Sequence, residues 1–281
     1  MKGRNKMAEN FDVNSFVIER PTKAIFMNSD DTTAWYTNQV QDFDVKVDGE
    51  EQTKQDAAGN TIATVTKGKT CTASFNVAVY DLNILAALNG TEKEIASTTS
   101  KIVTPAFEEV TITSSNKDSI VLKYPVKAVG AKYPVSVTTL TKDGSPKKIF
   151  KQGSVAAAGV FAYANGTHTV SFYSGDLTEG DQVLIVYEYE ATQAVRVVAS
   201  GDKFPTAGKL YVQVAGFDIC DQNTRVYAYY RFPTAKLTSS YDTAIDLDST
   251  IPMEFNCAVD YCGTDKKFYD IVVPSATPTA E

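Results

Sequence analysis

Residues 70–90, TCTASFNVAVYDLNILAALNG, constrain the fold of this chain more than any other stretch. Apolar or small side chains alternate with mainly polar ones, and the apolar face carries Cys71, Ala73, Phe75, Val77 and Val79. A period of two held over this length predicts a half-buried β-strand. Asp81 then supplies an N-cap oxygen and Asn89-Gly90 a left-handed exit, which predicts one short α-helix over about residues 81–89. The chain is therefore expected to consist mostly of strands.

The composition agrees with a mainly β protein. Hydrophobic residues make up 43% of the 281 residues and aromatic ones 11%, with 15 Tyr and 14 Phe against a single Trp. Aromatic and β-branched side chains favour pleated, half-buried surfaces. We expect antiparallel sheets packed as a sandwich or half-barrel, the one short helix, and an inserted or appended β domain.

The charge distribution indicates where the added domain lies. Eight lysines and two aspartates occupy residues 111–175, a local net charge of +6 in a chain whose net charge is −7. Such a shift marks a separate module, or else a solvated lysine-rich surface. The acidic chain as a whole repels nucleic acid phosphates, so adhesion to DNA is not expected.

Turn signals and strand patterns divide the chain into segments. Residues 1–12 are predicted to be a flexible arm, 13–110 and 181–275 one β core, 111–180 the lysine-rich β insertion, and 276–281 a flexible tail.

Two patterns within the predicted core are informative. Asp48-Gly49-Glu50 predicts a turn, and residues 51–60 predict a polar loop before the chain becomes extended again. Residues 75–79 (FNVAV) and 255–259 (FNCAV) share one alternation, so both could occupy the same sheet.

Four cysteines without C-x-x-C spacing indicate reduced thiols made in a cytosol, and Cys71 and Cys257 fall on apolar strand faces. The first residues are basic and then polar with no apolar stretch behind them, which is not the pattern of a secretory signal. The sequence contains no run of 18 apolar residues, so no membrane span is predicted.

The residues do not form a recognisable catalytic pattern. The only histidine, His168, follows a turn signal, has no Cys, Asp or Glu near it in sequence, and is expected to be structural. The motifs G-x-S-x-G, H-E-x-x-H, G-x-G-x-x-G and the Walker loop are absent. Three sets of carboxylates near turns could bind calcium, but they lack the order of a calcium loop and Asx turns explain them equally well: Asp30-Asp31, Asp218 with Asp221, and Asp246 with Asp248. We predict no enzymatic activity, no cofactor and no metal.

Two sets of side chains could bind or cleave a carbohydrate. Glu188 and Glu190 share one face of a strand and could serve glycoside hydrolysis below a sugar cleft, although such a pair is more often a solvated strand face. A ladder of tyrosines could stack on sugars or bases, or simply stabilise a sheet. The ladder consists of Tyr227 and Tyr229 beside Tyr187 and Tyr189.

The strand-to-helix unit at 70–90, with a β-rich remainder ending in FPTAKLTSSYDTAIDLDSTIPMEFNCAVD, resembles the major tail (tail tube) proteins of tailed bacteriophages. The resemblance covers residues 11–100 and 181–275 and leaves the lysine-rich segment as an added outer domain. It implies a virion subunit that forms hexameric rings stacked into a hollow tube, through which genomic DNA passes without specific binding. Such a subunit is made in the host bacterial cytoplasm, joins other phage tail proteins in the virion, and has no membrane anchor.

The resemblance also implies roles for particular residues. Candidates for the tube lumen are Asn76, Glu188, Glu190 and Asn256. Candidates for contacts between rings are Glu51, Lys54, Asp56 and Asn60, together with residues 1–12.

Three other functions remain open on the residues alone. One is a phage capsid decoration or head-to-tail connector protein, because many phage particle proteins are acidic and all-β. Another is a carbohydrate-binding β-sandwich that uses Tyr227 and Tyr229. The last is a glycosidase that uses the Glu188 pair.

Overall fold

A computed structural model describes residues 16–219, 225–238, 240–242, 247–261 and 265–274. The predicted arm (1–12) and tail (276–281) lie outside these residues, as do Cys220 and Cys262. The described chain is mainly β, as predicted, with antiparallel sheets and one helix.

In chain order, the elements are β1 (Phe16–Met27), β2 (Thr33–Thr37), β3 (Val40–Gln55), β4 (Thr61–Val77), α1 (Leu82–Leu88), β5 (Glu94–Ile95), β6 (Ile102–Thr111), β7 (Ser119–Val121), β8 (Val135–Leu140), β9 (Pro146–Gly153), β10 (Val160–Ala164), β11 (Thr169–Ser171), β12 (Gln182–Ala191), β13 (Val195–Arg196), β14 (Ala207–Asp218), β15 (Arg225–Leu237), β16 (Ile251–Cys257) and β17 (Asp270–Val272).

The chain divides into two compact units. Unit 1 combines the described parts of Met1–Lys93 and Val197–Glu281, and unit 2 is Glu94–Arg196. Unit 1 contains an antiparallel sheet with the strand order β2-β1-β14-β15-β16-β4-β3, and β17 pairs with the first part of β15. This sheet curves into a half-barrel, which brings β1 and β3 near each other.

A cluster of aromatic rings fills the core of unit 1. Phe26, Trp35, Phe75 and Phe255 come from four different strands, and their ring centroids lie 5.7 to 6.2 Å apart. All four side chains are at most 3% exposed. Rings at these separations attract one another in addition to their burial, so the cluster is the main packing contact that joins these strands.

Helix α1 covers this core, and its bounds confirm the predicted helix. Asp81 caps it, because its carboxylate accepts a hydrogen bond of 2.7 Å from the Asn83 amide. Gly90 follows with a φ of 63°. A Cβ atom at Gly90 would come within 2.4 Å of the Phe204 backbone, so both the conformation and the space require glycine.

Unit 2 has its own sheet and its own core. The strand order is β6-β12-β8-β9-β10-β11-β7, with one parallel pair, β9 with β10. The side chains that pack inside it include Val137, Phe150, Phe161, Val183 and Ile185. The two ends of the unit pair as β5 and β13, and Arg196 donates to the Glu94 carboxylate at 2.6 and 3.0 Å.

The bounds of unit 2 are wider than the lysine-rich segment 111–180. Strand β12 pairs along its whole length with β6 and over six residues with β8, so Gln182–Ala191 belongs to unit 2. The sequence patterns assigned this strand to the β core formed by residues 13–110 and 181–275. Strand β9 was not anticipated, because only Phe150 of its eight residues is buried and the other side chains show no apolar period. Unit 2 as a whole contains ten basic and ten acidic side chains, which favours the interpretation of its lysines as a solvated surface.

A buried tyrosine fastens an irregular segment to the sheet of unit 2. The Tyr187 hydroxyl donates to the Glu108 carboxylate and accepts a 3.2 Å hydrogen bond from the Tyr124 amide. The same carboxylate accepts from the Lys123 amide at 2.9 Å. Burial and the adjacent Glu108 carboxylate raise the pKa of Tyr187 well above its usual value, so this phenol is neutral at physiological pH.

We expect Phe255→Ala to destabilise unit 1 by about 3–5 kcal/mol, since it removes a ring at the centre of the aromatic cluster. Trp35 is the only tryptophan and lies in this cluster, so its fluorescence during urea denaturation reports on unit 1. The control Ile62→Ala removes a side chain that is 63% exposed and should change the free energy of unfolding by less than about 0.5 kcal/mol. Equal effects of the two substitutions would contradict this account of the core.

We expect Tyr187→Phe to cost about 1–3 kcal/mol at pH 8, because the Tyr124 amide and the Glu108 carboxylate each lose a partner. A tyrosine whose pKa is raised by folding stabilises the protein below pH 10 and loses that contribution as the pH rises through its folded pKa. The gap in melting temperature between wild type and Tyr187→Phe should therefore narrow at pH 11. Calorimetry at both pH values tests this, with the exposed Tyr173→Phe as control.

Candidate assembly surfaces

A two-stranded ribbon projects from the core of unit 1. It consists of residues 48–70, the outer parts of β3 and β4 with their connection, and every residue in it is exposed. The ladder runs from Asp48 opposite Thr70 to Gln55 opposite Thr61, roughly 24 Å at the usual rise of a strand. An isolated two-stranded ribbon is only marginally stable in water. A ribbon of this length is therefore a strong candidate for contact with another molecule.

The tip of the ribbon is held by its own side chains. The Asp56 carboxylate accepts hydrogen bonds from the Ala58 amide at 2.9 Å, the Asn60 amide at 2.8 Å and the Asn60 side chain at 3.0 Å. These bonds keep the pKa of Asp56 below its usual value. Gly59 has a φ of 86°, which closes the turn. Asp56 and Asn60 therefore shape the tip, whatever contacts they make beyond it.

The prediction of a turn at Asp48-Gly49-Glu50 is wrong, and so is most of the predicted loop at 51–60. Strand β3 continues to Gln55, and the ladder absorbs the turn signal as an irregularity between Glu50 and Glu51. The run TIATVT at 61–66 is rich in β-branched residues, and it was the available signal for a long hairpin. Glu51 and Lys54 consequently lie on a strand rather than in a loop, and Asp56 and Asn60 flank the turn.

The sheet of unit 1 has open edges among the residues that the structure describes. Strand β3 pairs only with β4, and the first part of β1 pairs only with β14. Unpaired amides and carbonyls at a sheet edge are a template for pairing with another strand. Between these edges lies a groove of about 290 Å³ with both polar and apolar walls, to which Phe43, Asp44, Tyr230 and Ile271 contribute. A strand from another molecule along either edge would border this groove.

Asn76 and Asn256, two of the predicted lumen residues, share one outward face of unit 1. The two repeats of the FN-x-AV pattern lie on adjacent antiparallel strands, with Met253 opposite Phe75 and Asn256 opposite Thr72, which confirms that they occupy one sheet. The Asn76 side chain donates a 3.3 Å hydrogen bond to Asp42. The same face carries the exposed carboxylates of Asp42, Asp44 and Glu254 and the exposed lysines Lys46 and Lys236. This surface is polar and carries charges of both signs.

The other two predicted lumen residues lie in unit 2. Glu188 and Glu190 occupy the outward face of β12, as the alternation predicted. Glu190 forms an ion pair with Lys101, with 3.2 Å between the carboxylate oxygen and Nζ. The tyrosine ladder is wrong as a set of cross-strand pairs, because its halves belong to different sheets. Tyr227 and Tyr229 are on β15 of unit 1, whereas Tyr187 and Tyr189 are on β12 of unit 2.

The groups considered for catalysis are explained by local structure where they are described. His168 closes a turn with a φ of 53°, and its carbonyl accepts from the Leu122 amide at 2.8 Å. Asp30 accepts from Thr32 in an Asx turn, and Asp31 pairs with Lys209. No cluster of three or more His, Cys, Asp or Glu side chains suitable for a metal ion occurs in the described chain.

Some carboxylates of the calcium hypothesis lie outside the described residues, namely Asp221 and Asp246. Within the described residues, no helix is both long and apolar enough to span a bilayer.

A sequence model of the YomU/Tube protein family matches residues 16–266. The chain belongs to the YomU/Tube protein family. This confirms the predicted resemblance to phage tail tube proteins and makes the chain a phage tube-like structural protein. The match begins at the first residue of β1 and includes all of unit 2, so the family pattern extends over both units. No curated protein matches the chain.

Membership in a tube family agrees with the surfaces described above. Structural tube proteins are typically not enzymes, and they act through contacts with other components of a phage tail. The ribbon and the open edges are surfaces of the kind that such contacts require.

Proposed function

We propose that this YomU/Tube protein is the tail tube subunit of a tailed bacteriophage, that it assembles into stacked hexameric rings, and that the resulting tube conducts the genome. The family match over residues 16–266 carries this proposal. Two structural features support it, the exposed ribbon and the unpaired strand edges of unit 1. Unit 1 is then the tube-forming body and unit 2 an added domain inserted between Lys93 and Val197.

Ring closure would use the edges of the half-barrel. A curved, incomplete sheet leaves edges that must be paired or protected, and sheets from several copies that join edge to edge form one closed barrel without free edges. The edge of β3 and the first part of β1 are the available partners on each copy. The interface is heterologous, because different edges meet, and heterologous contacts generate rings when the rotation closes.

Stacking of rings would use the ribbon. Its strands expose Ile62 and Val65, 63% and 60% exposed, together with the charged side chains of Glu51 and Lys54. Glu51 and Lys54 lie on opposite faces of the ribbon, so each face offers a charged group for contact. We propose Glu51 and Lys54 as direct inter-ring contacts, with Asp56 and Asn60 presenting the tip.

The bore would be lined by the face that carries Asn76 and Asn256. Its amides and hydroxyls are uncharged, and its three carboxylates outnumber its two lysines, Lys46 and Lys236, so the face on balance repels phosphates. DNA would then pass without the release of counterions that makes basic surfaces adhesive. Glu188 and Glu190, on the outward face of β12 in unit 2, stay predictions for the lumen.

Electron microscopy of the purified protein at raised concentration tests the proposed assembly. We expect hexameric rings and hollow tubes, because each copy carries both partners of each contact. Isolated monomers or trimers at every concentration would instead favour a capsid decoration protein. A soluble monomer that is retained on a carbohydrate resin would favour the lectin hypothesis.

A charge swap on the ribbon tests the proposed stacking contact. We expect Glu51→Lys with Lys54→Glu to raise the protein concentration needed for tube growth at least about tenfold, since like charges would meet across each ring interface. The matched control is Lys117→Glu with Glu179→Lys, which exchanges two exposed charges of unit 2 and should leave tube growth unchanged. Both proteins should unfold at the wild-type urea concentration, as followed by Trp35 fluorescence. Tubes that form normally from the ribbon variant would refute the assigned contact.

A further inference from the structure

Two thiols face each other at the boundary of the unit 1 core. Cys71 on β4 and Cys257 on β16 are direct partners in the antiparallel ladder that joins these strands. Their side chains are 3% and 6% exposed, lie on the same face of the sheet, and are both free. Directly opposed residues in such a ladder have Cα atoms about 4.5–5.5 Å apart, and disulfides span Cα separations of about 4.4–6.8 Å. The backbone therefore already holds the pair at a distance that one S–S bond bridges.

We propose that Cys71 and Cys257 form a cross-strand disulfide once the protein leaves a reducing compartment. In forming the bond the two thiols lose two protons and two electrons, and a small external disulfide accepts the electrons and is released as two thiols. Thiols stay reduced in a cytosol, whereas disulfides persist in oxidising surroundings. The pair is reduced while the chain folds and becomes oxidised afterwards.

The position of the pair gives the bond its effect. Cys71 is the first buried residue of β4 after the exposed ribbon, and its neighbour on β3, Val47, is 45% exposed. Cys257 is the last residue of β16. The bond would therefore join the core to β4 at the place where the ribbon leaves it. The disulfide itself does not depend on the proposed function. Its role in fixing the base of an inter-ring contact does rest on that function.

Burial makes the reaction slow rather than impossible. It raises the pKa of both thiols, to about 12 for Cys257, so the attacking thiolate is scarce near neutral pH. Formation of the bond does not require a charged side chain beside the thiols. Both cysteines lie at the end of a buried segment. We expect oxidation to proceed through brief local opening of this boundary, over hours rather than seconds.

Peptide mapping of the intact, folded protein tests the proposal. The protein is incubated with oxidised glutathione, free thiols are then alkylated in denaturant, and the chain is digested with chymotrypsin without reduction. Chymotrypsin is required because the tryptic peptide 237–266 contains both Cys257 and Cys262, whereas cleavage after Tyr261 separates them. We expect a Cys71–Cys257 peptide pair that disappears on reduction.

Melting curves give a second readout with matched variants. Oxidised wild type should melt at a higher temperature than reduced wild type, and dithiothreitol should reverse the shift. Cys71→Ala and Cys257→Ala should show no shift on oxidation, while Cys262→Ser should keep it. Melting of the reduced variants shows whether each has folded.

Two outcomes would overturn the proposal. In one, Cys71 and Cys257 both remain alkylatable after prolonged oxidation of the folded protein. In the other, the link forms only in denaturant, or Cys71 joins a different cysteine. These results do not depend on tube formation, so failure of the disulfide and failure of the proposed assembly are separable by microscopy of the same samples.

Discussion

The alternating face of β4 is the constraint on which unit 1 depends. Its inner half, residues 71–77, directs every second side chain into the aromatic core, and its outer half, residues 61–70, has no core contact. A slip of one residue would turn Phe75 to solvent, so the core fixes the register of the whole strand. The ribbon therefore leaves the body at a defined place, although all of its residues are exposed in the part of unit 1 that the structure describes.

A well-packed body combined with unsatisfied edges agrees with the structural role of a tube family. The core of unit 1 is closed by aromatic packing and a capped helix, whereas the ribbon and the edge of β3 leave backbone and side-chain groups without partners inside the described monomer. In a tube family such groups are the means of assembly, because contacts between copies supply what one copy lacks. The oxidisable pair at the ribbon base lies between these two regions.

Local patterns predicted the local elements well. The strand and helix at 70–90 follow from a period of two, an N-cap and a left-handed exit, all of which act within a few residues. The repeated FN-x-AV pattern correctly predicted two strands of one sheet. The turn at Asp48-Gly49-Glu50 was wrong because a long ladder with β4 outweighs a weak turn signal, and β9 was missed because one buried side chain makes no period.

The sequence by itself determined that the chain is β-rich, where helix α1 begins, and that the chain resembles tube proteins, since these depend on short-range periodicity and on local sequence patterns. Only the tertiary structure decided which strands pair. It placed β12 with β6 rather than in the core, separated Tyr187 from Tyr227, and brought Cys71 opposite Cys257. Many edges and registers are available for pairing between distant segments. Which of them form depends on how the whole core packs.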